Sequence, residues 1–370
     1  MSRSLATLAA VALATAACGG AAGAPGASPG AARANDVKLY VVSQSGAQIA
    51  VISEATLTID TVIDLTTMGF SPNAKPHDTA AEPDGSAWYV SLIGDGRVLK
   101  FDRANRLVGQ VEMETPGLLA MDRVHDSLYV GRSMTAVNPP KALGVIKRST
   151  FQKIDEQEVL VPRPHAIVTS HDGRYVHTAS LAENRIASVE TATGRVTLST
   201  LAGAPRSLVE FTISPDGRTM VVGGELSNTL LVYDLTGIPP LAPVREFAVG
   251  GKPWHPSFSA DGRRVYVPLL SDNAVAEVDP FSGTVLRRFT EGFAQPHGSV
   301  VSPDGRYLFV SNRNTGGGGM AGMSGHDMHG KDGDTSSHGW LTVIDLQSGA
   351  MVKQLMLGAS PAGMGAPGSQ

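Results

Sequence analysis

Thioethers and imidazoles crowd one stretch of the chain, NTGGGGMAGMSGHDMHGKDGDTSSHGW at 314–340. It holds Met320, Met323, Met328, His326, His329 and His338. A thioether prefers Cu(I), and an imidazole accepts copper in either oxidation state. The segment is therefore expected to bind copper or another metal. It is Gly-rich, polar and without periodicity, so it reads as a flexible loop. Imidazoles also return elsewhere in a fixed context. His77, His165 and His297 each follow a proline directly. His255 follows the pair Pro253-Trp254, and the guanidinium of Arg206 follows Pro205. Converging imidazoles suit a metal, and an arginine among them suits a carboxylate or phosphate.

The elements that must position these groups come from a repeat. Pro76, Pro116, Pro164, Pro205, Pro253, Pro296 and Pro361 mark it. The marks stand about 44 residues apart, which is the period class of a propeller blade, and the last step is lengthened by the 314–340 insert. Each unit has one internal order. A short run after the proline, such as HDTAA or HGSVV, leads to a turn, EPDG, SHDG, SPDG or SADG. Glycine there accepts the positive φ of a hairpin turn. Three further β-rich runs follow, for example YLFVSN, LTVIDL and MVKQLMLG. The fold class expected is all-β, a seven-bladed β-propeller with four-stranded blades over 36–364. Residues 37–66 supply three strands with no first strand, and the C-terminus supplies only a first strand. The last blade is thus shared between the termini, with AGMGAPGSQ as a weak closing strand.

In a propeller the first strand of each blade lines the central channel. The residue after each repeat proline is then placed at the top mouth. In chain order these are His77, Gly117, His165, Arg206, Trp254 with His255 beside it, His297 and Ala362. This broken ring is expected to take a metal ion or a small anionic ligand. The competing reading is structural, with the imidazoles bonded to the backbone of neighbouring blades. The insert joins second and third strands, so it is expected on the same top face. His125 and His171 are expected solvated in turns of the opposite face, and His177 packed in a second strand. Asp84, Asp172, Asp216, Asp261 and Asp304 are assigned to turns, and Asp102, Asp234, Asp279 and Asp345 to the ends of third strands.

SPDGRYLFVSN followed by LTVIDLQSG resembles the YVTN-type, YncE-like propeller repeat. The resemblance covers nearly all of 36–362 and implies secreted or surface proteins that bind rather than catalyse.

At the N-terminus, Arg3 precedes LATLAAVALATAACGG, which reads as a signal segment over 1–18 with a lipobox-like cysteine, Cys18. Cys18 is the chain's single cysteine, so no disulfide is expected. Residues 19–35 read as a Gly/Ala/Pro/Ser tether. Together these place the protein outside the cytoplasm, attached to a membrane by a lipid anchor only; the alternative is ordinary cleavage after Ala14–Ala16, giving a secreted soluble protein with Cys18 as a free thiol. A net charge of −4 and no long basic run exclude a general nucleic-acid binder. No Walker, GxSxG, HExxH or CxxC context occurs. The reading preferred is a binding or scaffold propeller that holds copper or another metal. A lactonase-type hydrolase using the His/Arg-lined channel is the first alternative. It is disfavoured because no acidic residue is expected beside the ring. The second is a pure interaction propeller with a protein partner on the top face.

Overall fold

The computed structural model describes residues 36–315 and 338–369. The expected signal segment, Cys18 and the tether lie outside these residues, as do Met320, Met323, His326, Met328 and His329. The described residues contain strands and two short 3-10 turns, with no α-helix, and no helix long and apolar enough to cross a membrane.

Seven four-stranded antiparallel sheets form, each built as one repeat. The inner strands are Pro76–Ala81, Pro116–Met121, Pro164–Thr169, Leu208–Ile213, Ser257–Phe258, Pro296–Val301 and Pro361–Gly365. The last belongs to the shared blade and pairs with Lys38–Ser43, so the closure expected from the sequence is present. Alternate side chains of each blade point to opposite neighbours. Leu39 and Val41 pack towards the blade of Phe309 and Leu341, while Tyr40 and Val42 pack towards that of Trp88 and Phe101. Seven such apolar clusters fill the seven gaps between blades. In one gap Trp88 stacks between Tyr40 and Phe101, with ring centroids at 4.4 and 4.3 Å.

The closing strand looks weak in sequence because it is glycine-rich. The glycines are demanded by contact. A Cβ on Gly363 would stand 2.4 Å from the carbonyl oxygen of His77, and one on Gly365 2.4 Å from that of Thr79. All five residues of the strand are buried.

The Asp-Gly turns are also built alike. Ser214 Oγ donates to Asp216 Oδ1 at 2.5 Å, and Asp216 Oδ1 accepts the Arg218 N–H at 3.1 Å. Ser170 with Asp172, Ser259 with Asp261 and Ser302 with Asp304 repeat the pattern. Asp102, Asp234, Asp279 and Asp345 cap the turns after third strands through backbone N–H groups. These aspartates are structural, as the sequence indicates.

Met364 on the closing strand is 8% exposed and packs against Val41 and Val300. Met364→Ala is expected to cost about 2–5 kcal/mol in urea unfolding. Removing residues 361–370 should lower the melting temperature further, because it bares the edge of Lys38–Ser43. A truncated chain that melts like the full one would show that closure adds no stability.

Candidate functional site

Each blade is entered through a residue in the left-handed region. These are Lys75, Thr115, Arg163, Ser207, Lys252, Gln295 and Ser360, with φ between 44° and 54°. The residue after each pairs with the end of the second strand, as in Pro76 with Leu92, Pro164 with Ser180 and Leu208 with Gly224. This register places His77, Gly117, His165, Val209, Trp254, His297 and Ala362 on the first level of the channel. Asp78, Leu118, Ala166, Glu210, His255, Gly298 and Gly363 stand on the second.

Two expectations change. Pro205 is not the register mark of its blade, because the chain enters at Ser207-Leu208. Arg206 therefore leaves the ring and Val209 takes its place. The Arg206 guanidinium donates to both carboxylate oxygens of Glu246, at 2.9 and 3.0 Å, on an outer strand. That bidentate pair leaves it unavailable to the channel. The acidic residues thought missing are present: Asp78 and Glu210 stand one residue deeper than the ring, at the same level as His255.

The ring itself is closed. His77, His165, His297, Trp254, Val209 and Ala362 are each 0% exposed. Val209 and Trp254 join Met134, Leu181 and Leu270 in an apolar cluster at this end. Gly117 has no side chain, so His77 and His165 meet across it with centroids 5.8 Å apart. A Cβ on Gly117 would fall 2.6 Å from the Arg132 carbonyl. His165 Nδ1 lies 2.8 Å from that carbonyl oxygen. On the other side His297 stands 4.4 Å from Trp254 and 4.6 Å from His255 by ring centroid. The imidazoles thus form two packed groups. Among the described residues no set of three or more His, Cys, Asp or Glu has the geometry to hold a metal ion. His338 opens a strand, is exposed, and lies 3.0 Å by Nδ1 from the Leu357 carbonyl oxygen.

Below the ring, Asp78, Glu210 and His255 line a cavity of about 60 Å³. That is room for a few waters or one small group. Glu210 Oε2 stands 2.5 Å from His255 Nδ1. The imidazole is 6% exposed and the carboxylate 22%. His255 Nε2 is buried and makes no hydrogen bond among the described residues. Asp78 Oδ2 accepts the Leu119 N–H at 2.9 Å. Burial first, and the Glu210 charge second, push the Asp78 carboxyl up to about 7, against the pull of the Leu119 N–H and of His255. Two carboxylates with different partners in one small space are the arrangement that separates an acid from a base.

The cavity continues towards the turn-bearing face. A wider funnel of about 300 Å³ shares the walls Thr212, Ile213, Ser257, Val300 and Ser369 with it. His171 lines this funnel. It is half-buried, not solvated as its turn position suggests, and its pKa falls to about 4, chiefly by burial. His125 is exposed and pairs with Asp122 at 2.9 Å, whereas His177 is packed with Nδ1 2.9 Å from Ser188 Oγ.

Arg313 had no signal in the sequence. It follows the second strand of its blade, is 3% exposed, and its Nε and Nη1 make no hydrogen bond among the described residues. Burial pulls its pKa down to about 10.

No family model matches the chain. Antigen Lp49 of Leptospira interrogans is 23% identical over 260 residues, which is 64% of this chain and 54% of that protein. The chain spans about half the length of this curated relative. A periplasmic gluconolactonase of Pseudomonas aeruginosa superposes with a TM-score of 0.67 at 19% identity, over 91% of this chain and 100% of its own. Dihydro-heme d1 dehydrogenase superposes with a TM-score of 0.61 at 16% identity, over 92% of this chain and 77% of its own. At these identities the structural likeness is one of fold.

The buried acid has a pH signature. The folded state keeps a proton on Asp78 that an unfolded chain releases near pH 4. The stability from that proton is full below about pH 4 and is lost as pH rises to about 7. His171 and His177, both lowered to about 4 by burial, act in the opposite sense and cost stability as pH falls from about 6.5. Asp78→Asn separates the two. The unfolding free energy of the wild type minus that of the variant should fall between pH 4 and 7 and level off above. A difference flat across that window would remove the raised acid.

Proposed function

We propose that the protein is an extracytoplasmic propeller that hydrolyses small lactones in its channel. The observation that carries this reading is the Glu210–His255 contact, with the unbonded Nε2 of His255 in a cavity shared with a raised Asp78. Glu210 orients the imidazole through Nδ1, so that Nε2 carries the lone pair. A water in the cavity attacks the lactone carbonyl, and Nε2 takes its proton. The ring C–O bond then breaks, and protonated Asp78 gives its proton to the leaving alkoxide. The product is a hydroxy acid, and a proton passes from His255 back to Asp78 before the next turnover. The cavity admits the reacting atoms only, and the funnel holds the rest of the ligand.

Support comes from three sides. Asp78 and Glu210, which the sequence reading missed, stand at one level of the channel with His255, which it named. A solved structure of the same fold is a periplasmic gluconolactonase. The Arg3-to-Cys18 segment and the YVTN-like repeat agree with a place outside the cytoplasm, and lipid attachment at Cys18 completes that picture.

Glu210→Gln and His255→Ala should each lower kcat/KM on a lactone panel by about 10²–10⁴-fold, with the fold retained by circular dichroism. Absence of turnover on every lactone in the wild-type protein would overturn the hydrolase reading and leave a binding propeller.

The copper reading of Met320, Met323, His326, Met328, His329 and His338 is a separate proposal that rests on residue types. Cu(I) titration of the full chain should show tight binding, lost when 316–337 are removed. Equal affinity in both chains would assign the copper elsewhere.

A further inference from the structure

The funnel mouth is built from one turn position in six of the seven blades. That position is the second residue of the turn after each inner strand: Arg123, His171, Pro215, Ala260, Pro303 and, in the shared blade, Pro367 line the opening. Proline or alanine fills four of these six places. The two that depart carry nitrogen donors, and they stand side by side in neighbouring blades. The third blade's turn departs altogether, reading Asp122-Arg123-Val124-His125 where five others carry Asp-Gly at the third and fourth places.

Neither donor is spent on the protein. Arg123 is exposed at the mouth and forms no ion pair or hydrogen bond among the described residues, and partial desolvation lowers its pKa. The Nε2 of His171 is buried and also lacks a hydrogen-bond partner among the described residues. The nearby carboxylates are engaged in their own turns. Asp172 Oδ1 accepts from Ser170 Oγ at 2.7 Å and the Arg174 N–H at 3.0 Å, and Asp216 is held likewise by Ser214 and Arg218. The Arg123 charge helps to keep His171 neutral, so the imidazole can present one N–H beside the guanidinium without like-charge repulsion.

We propose that this funnel is an anion subsite, in which Arg123 and His171 bind a carboxylate or phosphate group. A guanidinium offers two parallel N–H donors to such a group, and the half-buried His171 adds a third from the funnel wall. The inference rests on the channel reading for its consequence: the lactones turned over carry an anionic group on the part that stays in the funnel.

The test separates the two. Inorganic phosphate and acetate are titrated into the full chain at constant ionic strength and followed by calorimetry. One of them should bind saturably, and which one does distinguishes phosphate from carboxylate. Arg123→Gln should weaken that binding at least tenfold, His171→Gln less, and His255→Ala not at all. In kinetics, a phosphorylated or carboxylated hexonolactone should show a lower KM than the neutral one, and Arg123→Gln should erase the difference. No saturable binding of either anion, or binding untouched by Arg123→Gln, overturns the subsite even if neutral lactones are turned over. Anion binding lost in Arg123→Gln, with no turnover of any lactone, keeps the subsite and overturns only the hydrolase.

Discussion

Seven inner strands must stand around one axis with their free edges turned towards each other. Every other feature of the channel answers to that constraint. A free edge carries backbone donors and acceptors that need partners once buried. Side chains of the next blade supply them. Thr79 Oγ1 donates to the Tyr40 carbonyl at 2.9 Å, Thr169 Oγ1 to that of Met121 at 2.7 Å, Ser299 Oγ to that of His255 at 2.7 Å, and Ser311 Oγ to that of Ala362 at 2.7 Å. Asp78 joins the same system by accepting the Leu119 N–H. Its carboxyl is thus a stitch between blades as well as the proposed acid of the site, which would tie the chemistry to the closure of the ring.

The approach of the strands also explains why the Pro-His pairs do not form an open circle of ligands. Where two blades come closest the residue is glycine, as at Gly298 and Gly363. A Cβ there would lie 2.7 and 2.4 Å from its nearest neighbour. Missing side chains let the remaining ones lean together. His77 reaches His165 across Gly117, and His297 settles against Trp254. What the repeat stacks in sequence, the packing turns into two aromatic groups that close the end of the channel.

The repeat was legible because hairpin turns and β-rich runs leave strong local marks. The register inside one blade was not. Proline marks entry in six blades, and in the fifth a proline three residues early, Pro205, imitates it. The true signal is backbone conformation, a left-handed residue before each inner strand, and no residue type announces it: Lys, Thr, Arg, Ser and Gln all occupy the place. Counting back from the SPDG turn at 214–217 to the inner strand would have put Val209 and Glu210 in line with His77 and Asp78. Asp78 was hidden differently, since it reads as an ordinary strand residue in HDTAA. Arg313 gave no sign at all, because only the fold removes its guanidinium from water. The turn aspartates were legible, as their hydrogen bonds are local.

The two ends of the channel are chemically unlike, and that difference decides the direction of access. At the Pro-His end Met134, Leu181, Val209, Trp254 and Leu270 pack together, each 5% exposed or less. Opening that end would strip apolar contacts from five buried side chains at once. At the turn end the walls are prolines and small residues held by their own hydrogen bonds, and a space of about 300 Å³ already stands open. In the proposed hydrolase a ligand would reach His255 from the turns. The residues proposed to select it stand at the second turn position, and those proposed to act on it stand in the inner strands. Selection and chemistry would then be carried by different parts of the same repeat. Arg123 and His171 can thus be exchanged without disturbing the stitch that Asp78 makes between blades.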